Sequence, residues 1–273
     1  MVTRDYVYYM THNTVLIGAE FDKIISILLV TAIIAVAISR ARALLNRSVA
    51  GGQAAQDLSR FFSPEIADQI TASEEAVSAG SGEARDAAIL FCDIRGFTGF
   101  SHTHQPNEVI AMLADYQRRI VPILQKHGGT IDKFMGDGIM VTFGAALPTD
   151  TFAADALRAV DDLMQGADDW NEGRLAAGEP ELRVGAAVAS GRLIFGAVGD
   201  ESRLEYTVIG DAVNLAAKLE KATKDQQVRA HTTADTYDTA VAQGYTPPGP
   251  KERRAGCTVD GVDTPVDLVV LAG

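Results

Sequence analysis

Two aspartates in this 273-residue chain stand where metal-assisted phosphoryl chemistry would need them. Asp93 closes a short apolar run, AAILFCDI (87–94), and Asp137 sits at the Gly-Asp-Gly tip of GTIDKFMGDGIMVTFG (129–144). Paired carboxylates are hard oxygen ligands suited to Mg²⁺ or Mn²⁺. Two such ions ~3.5–4 Å apart lower the pKa of an attacking hydroxyl and neutralise a leaving pyrophosphate. Downstream of Asp93 the turn GFTGFS (96–101) can turn backbone N–H groups, those of Gly96, Phe97 and Thr98 among them, toward phosphate oxygens. Each feature also has a plain structural reading, since Asp-Gly is a common turn and an Asp after a strand often caps a helix. The five histidines, His12, His102, His104, His127 and His231, include no convincing general base.

For the carboxylates to converge, the strand ending at Asp93 must lie beside the hairpin carrying Asp137. The pattern supplies such an order. AAILFCDI reads as a buried strand, and NEVIAMLADYQRRIVPILQKHGG (107–129) as an amphipathic helix with a Gly stop and a Pro122 kink. A hairpin about Gly136-Asp137-Gly138 follows, then a helix over 151–172. ELRVGAAVASGRLIFGAVG (181–199) reads as a second hairpin turning at Ser190-Gly191, and GDAVNLAAKLEKAT (210–223) as a third helix with Asp211 at its start. The order predicts an α+β domain of ferredoxin-like βαββαβ type, with an antiparallel or mixed sheet and helices on one face.

Upstream, Ile24–Ser39 is sixteen residues without a charge, bounded by Lys23 and by Arg40 and Arg42. As a helix it spans ~24 Å, slightly short of a ~30 Å hydrocarbon core that flanking residues can snorkel to cover. It reads as a transmembrane helix, and the arginines after it place the remainder in the cytoplasm. A buried core helix has the same composition. The predicted organisation is an N-terminal extension (1–23), the transmembrane helix (24–39), a helical, coiled-coil-like signalling linker (40–72), a flexible linker (73–86) and a catalytic domain (87–273). In the helical linker Leu44, Gly51, Ala55, Leu58 and Phe62 follow a 3.5-residue seam, and Ser63-Pro64 starts a short helix. A net charge of −12 argues against a general nucleic-acid binder. The two cysteines, Cys92 and Cys257, are too few for a disulfide framework or a zinc site and fit a reducing compartment.

Three strings in order, LFCDIRGFTGFS (90–101), GGTIDKFMGDGIMVTFG (128–144) and YTVIGDAVNLAAKLE (206–220), resemble the catalytic domain of class III adenylyl and guanylyl cyclases. The resemblance covers about residues 84–271, with RFFSPEIADQI (60–70) similar to a frequent lead-in. It implies two Mg²⁺ or Mn²⁺ ions held by Asp93 and Asp137, assisted by the Ile94 carbonyl. It also implies purine selection by Lys133 and Thr207. A lysine ammonium only donates, so it suits the acceptor N1 of adenine and not the N1–H of guanine. Threonine at 207 resembles the subgroup related to soluble, bicarbonate-responsive adenylyl cyclases. Guanylyl cyclases usually carry Glu and Cys at these two places, so the resemblance implies ATP as substrate and cyclic AMP as product.

Asn214 and Lys218 share a helix face by their i,i+4 spacing. The family's asparagine orients the ribose, and an arginine four residues later stabilises charge on the phosphates. Lys218 stands in place of that arginine and lacks its two-pronged donor geometry. Asp260 stands where the family often has a lysine for the terminal phosphates, leaving Lys251, Arg253 or Arg254 to substitute or the contact missing. The resemblance further implies a head-to-tail homodimer, the metal aspartates coming from one protomer and the purine, ribose and transition-state residues from the other. The two departures leave a weak or inactive regulatory cyclase subunit as an alternative reading, and a guanylyl cyclase is the alternative at the purine-selecting pair.

Overall fold

The computed structural model describes residues 2–12, 15–58, 80–200 and 203–273, and for 15–20 and 43–58 the backbone alone. The chain divides into two compact units between residues 61 and 62.

In the first unit two short strands, β1 (Val2–Thr3) and β2 (Val15–Leu16), pair in parallel around helix α1 (Tyr6–Thr11). Asp5 caps α1, its carboxylate accepting from the Val7 and Tyr8 N–H groups. Helix α2 (Ile17–Leu58) then runs unbroken for 42 residues, through Gly51 and Gly52. Its segment Phe21–Arg42 is long and apolar enough to cross a membrane, with a mean hydropathy of 2.4. At about 1.5 Å per residue its 22 residues reach about 33 Å, longer than the sixteen-residue block suggested. The side chains of Leu44, Gly51, Ala55 and Leu58, and the whole of Phe62 and the helix expected at Ser63-Pro64, lie outside the described residues.

The second unit is built on an eight-stranded sheet. Its elements are β3 (Gly82–Ile94), α3 (Phe97–Thr103), α4 (Pro106–Lys126), β4 (Thr130–Met135), β5 (Gly138–Phe143), α5 (Phe152–Ala176), β6 (Val184–Gly199), β7 (Leu204–Ile209), α6 (Asp211–Asp225), β8 (Ala230–Thr233), α7 (Ala234–Ala242), β9 (Arg253–Cys257) and β10 (Val266–Ala272). The sheet runs β4-β5-β3-β6-β8-β10-β9, with β7 also paired to β6. The first four strands are antiparallel and, with α4 and α5, form the expected ferredoxin-like βαββαβ core.

Central strand β3 explains the architecture. Its run Ala87–Cys92 is apolar at every position and buried throughout, the mark of a strand covered on both faces. Ala88, Leu90, Cys92 and Ile94 pack with α4 and α5, while Ala87, Ile89 and Phe91 pack with Ala216, Leu219 and Ala222 of α6. Helices therefore cover both faces, not one as expected. The ferredoxin-like pair lies on one face, and α6, which follows β7, closes the other. At about 1.5–3 kcal/mol per buried large apolar side chain, burial on both faces holds this strand at the centre of the unit.

Two further elements differ from the sequence reading. Strand β3 begins at Gly82, inside the stretch read as linker to 86. The expected turn at Ser190-Gly191 is absent, and β6 is one continuous strand of 16 residues. Strand β3 pairs straight across that point, Ala88 to Ser190 and Ala87 to Gly191, and the Ser190 N–H donates to Thr236 Oγ1 at 2.9 Å. These bonds hold extended a dipeptide whose composition alone favours turning. Helix α4 also runs through Pro122 to Lys126, its start fixed by a Gln105–Glu108 capping box.

Candidate active site

The β4–β5 hairpin closes over Gly136, whose φ of 68° lies in the left-handed region that favours glycine. Cys92 of β3 pairs with Ile139 of β5, which brings the hairpin tip against the end of β3. The carboxylates of Asp93 and Asp137 thereby come within hydrogen-bonding reach of each other. The Ile94 N–H donates to Asp93 Oδ1 at 2.8 Å and also faces the Asp137 carboxylate. Desolvation, then the neighbouring Asp93, push the Asp137 carboxyl up to about 7. Two carboxylates this close share the proton, so that value belongs to the pair. Among the described residues no ion pair reaches either of them. This donor set fits hard divalent cations, which would remove the repulsion the pair otherwise carries.

The other side of the expected site is assembled differently. Lys133 and Thr207, on β4 and β7, come together at one corner. They are linked through Asp132, which sequence reasoning missed. Thr207 Oγ1 donates to Asp132 Oδ1 at 3.0 Å and Oδ2 at 3.2 Å, across 75 positions of sequence. Lys133 Nζ lies 3.5 Å from Asp132 and forms an ion pair with Glu205. The Asp132 side chain is only 2% exposed, and its burial raises its pKa while Lys133 and Thr207 act to lower it. A register shift explains the placement. Ile131 pairs with Val141 and Lys133 with Met140, so Asp132 is the extra residue of a β-bulge. No signal in the sequence announces that bulge.

Asn214 lies exposed in the first turn of α6, with Lys218 one turn on. The Lys218 ammonium donates to the Gly261 carbonyl, in the turn that also holds Asp260. The three basic residues offered as substitutes for a lysine at 260 all have partners within the chain. Lys251 bonds the Leu271 carbonyl at 2.8 Å, Arg253 pairs with Asp238, and Arg254 bonds the Gln226 carbonyl at 2.7 Å.

Gly96, Phe97 and Thr98 open a seven-residue helix, not a bare turn, with Gly96 at φ 79° before it and Phe97 packed against the core. Next to Asp93, the Arg95 N–H donates to the Arg183 carbonyl at 2.7 Å. Arg95, Arg183, Lys224 and Arg229 line a polar cleft of about 540 Å³, whose lining includes neither Asp93 nor Asp137. Arg183, the residue before β6, also went unremarked in the sequence. Cys92 is buried and free, and burial pushes its thiol up to about 12, so it stays neutral.

A family profile described as the adenylate and guanylate cyclase catalytic domain matches residues 80–253. The chain is 38% identical over 154 residues to an adenylate cyclase of Anabaena cylindrica, covering 55% of this chain and 30% of that protein. It is 33% identical over 141 residues to adenylate cyclase 1 of Rhizobium meliloti (strain 1021), covering 52% and 21%. The matches thus span under a third of the length of these curated relatives. Among solved structures it is similar to the adenylyl cyclase CyaB from P. aeruginosa, with 26% identity, TM-score 0.63, 71% of this chain and 96% of that one covered. The guanylyl cyclase Cya2 is similar with 30% identity, TM-score 0.62 and coverage of 70% and 94%.

Proposed function

Because the chain belongs to the adenylate and guanylate cyclase family, we propose that it converts ATP to 3′,5′-cyclic AMP and pyrophosphate. The observation that carries the choice of ATP is Lys133 held beside Thr207 over the buried Asp132. Lys133 donates to adenine N1, and Thr207 accepts from the 6-amino group. Asn214 orients the ribose, and the N–H groups of Gly96, Phe97 and Thr98 face the phosphates. The ribose 3′-oxygen attacks the α-phosphorus in line as the bond to pyrophosphate breaks. Lys218 adds positive charge where the transition state gains negative charge. Asp93 and Asp137, with the Ile94 carbonyl, would hold two divalent cations, Mg²⁺ or Mn²⁺, which would supply hydroxyl activation and charge neutralisation at the phosphates.

The two groups of residues work across a head-to-tail homodimer, Asp93 and Asp137 of one protomer facing Lys133, Thr207, Asn214 and Lys218 of its partner. Among the described residues no hydrogen bond or ion pair joins the two groups. Helix α2 anchors the protein in a membrane, with the catalytic unit on the cytoplasmic side, and its part past Arg42, together with the chain leading to β3, carries a signal to the cyclase domain. Mixing Asp137→Ala chains with Lys133→Ala chains tests this arrangement. Cyclic AMP formation restored by the mixture, when neither variant is active alone, supports it. A mixture as inactive as its components contradicts it.

Two observations favour rival readings. Glu205 is a carboxylate acceptor at the purine corner, which suits the N1–H of guanine and hence GTP. Lys218 engaged with Gly261 favours a weak or regulatory subunit.

A further inference from the structure

The bulge in β4 puts a buried acceptor under the residue that reads the purine's 6-position. A threonine hydroxyl holds one proton and two lone pairs, so by itself it accepts from an amino group or donates to a carbonyl equally well. An isolated Thr207 would therefore not tell the 6-amino group of adenine from the 6-oxo group of guanine. Its proton is not free, however. It points at Asp132, at 3.0 and 3.2 Å from the two carboxylate oxygens. An ionised carboxylate only accepts; burial raises the Asp132 pKa, and Lys133 at 3.5 Å together with the Thr207 hydroxyl works against that rise, toward the ionised form. With the proton held there, Thr207 shows the ligand only lone pairs.

We propose that Asp132 is a positioning residue for nucleotide choice: by holding the Thr207 proton it turns an ambivalent hydroxyl into an acceptor that favours adenine over guanine. The proposal rests on the reading of Lys133 and Thr207 as the purine pair. The geometry is specific to that use. Adjacent residues of a regular strand point to opposite faces, and only the bulge lets Asp132 meet Thr207 while Lys133 stays at the same corner. A side chain 2% exposed, charged and bonded to a single hydroxyl and one flanking ammonium is a costly way merely to join two strands.

The test is the ratio of kcat/KM for ATP to that for GTP, measured on the full chain. In Asp132→Asn the amide can donate to Thr207 Oγ1 and release the hydroxyl proton toward a 6-oxo group. The ratio is expected to fall about tenfold, the worth of one discriminating hydrogen bond, with GTP turnover rising in absolute terms. A merely structural role lowers both activities in proportion and leaves the ratio unchanged, which would overturn the proposal. Asp132→Ser, which removes the charge and shortens the side chain, is expected to shift the ratio the same way and serves where the Asn variant does not fold. Thr207→Val separates the two levels of the argument. If it leaves the ratio at the wild-type value, the purine-pair reading itself fails. If it changes the ratio and the Asp132 variants do not, the reading stands and the proposal falls. In the Thr207→Val background Asp132→Asn is expected to change the ratio no further, whereas an independent effect would add.

Discussion

The two corners of the cyclase domain solve opposite electrostatic problems. At the end of β3, Asp93 and Asp137 face each other, and among the described residues no ion pair reaches either carboxylate. At the corner of Lys133 and Thr207 every charge is answered from within the chain: Lys133 by Glu205 and Asp132, and Asp132 by Thr207 as well. On the proposed reading the first corner gains stability when a cation arrives, whereas the second must exchange internal partners for those of the nucleotide. The difference teaches where binding and where selectivity reside. A repelling carboxylate pair attracts any hard divalent cation with little discrimination. A pre-paired, partly buried corner admits only a ligand that restores the bonds it displaces, and mismatched partners are left unsatisfied at a high cost.

The contrast is broken most forcefully at the first corner. Asp137→Ala is expected to reduce cyclic nucleotide formation by about 10³-fold or more while leaving the fold intact, since the change relieves repulsion. Circular dichroism alongside the activity assay checks both halves. Lys133→Ala at the second corner should lower kcat/KM for ATP by about 10- to 100-fold, because a charge-assisted hydrogen bond is lost and Asp132 and Glu205 are left facing each other. Lys218→Arg restores a planar donor and is expected to raise kcat a few-fold. An unchanged or lower kcat would show that the bond to Gly261 matters more than the missing fork.

The smallest effect is on stability. The Asp137 carboxyl is raised from 3.8 to about 7 in the folded chain, so the folded state binds its proton more tightly than the unfolded state does. That contribution is fully present below about pH 4 and is lost as pH rises toward about 7. With divalent cations chelated, thermal stability of the wild type relative to Asp137→Asn should therefore decline between pH 5 and pH 7 and level off above. A difference that stays constant over that range would contradict the shared-proton description of the pair.

How much of this was legible depended on whether a feature is written in local pattern or in pairing. Asp93 and Asp137 were readable because each follows a strong local signal, an apolar strand and a Gly-Asp-Gly tip, and the βαββαβ order brings those signals together. The same holds for α4, α5 and α6, whose apolar spacing and stop residues mark them. Ser190-Gly191 misled because turn composition yields to pairing along the whole of β3. The cover on the second face of the sheet was implied by the unbroken apolar run 87–92 and was not drawn from it. Asp132 was invisible: a bulge depends on how two strands align, and alternation would have sent Asp132 and Lys133 to opposite faces.

The central claim is that the two corners together perform an ATP-specific cyclisation. It is tested most directly by incubating the purified full chain with ATP or GTP, in Mg²⁺ or Mn²⁺, beside an Asp137→Ala control, and identifying the product. Cyclic AMP from ATP, far less cyclic GMP from GTP, dependence on the cation and loss of product in the control are predicted. A folded, dimeric wild type that forms no cyclic nucleotide, or that prefers GTP, would contradict the account.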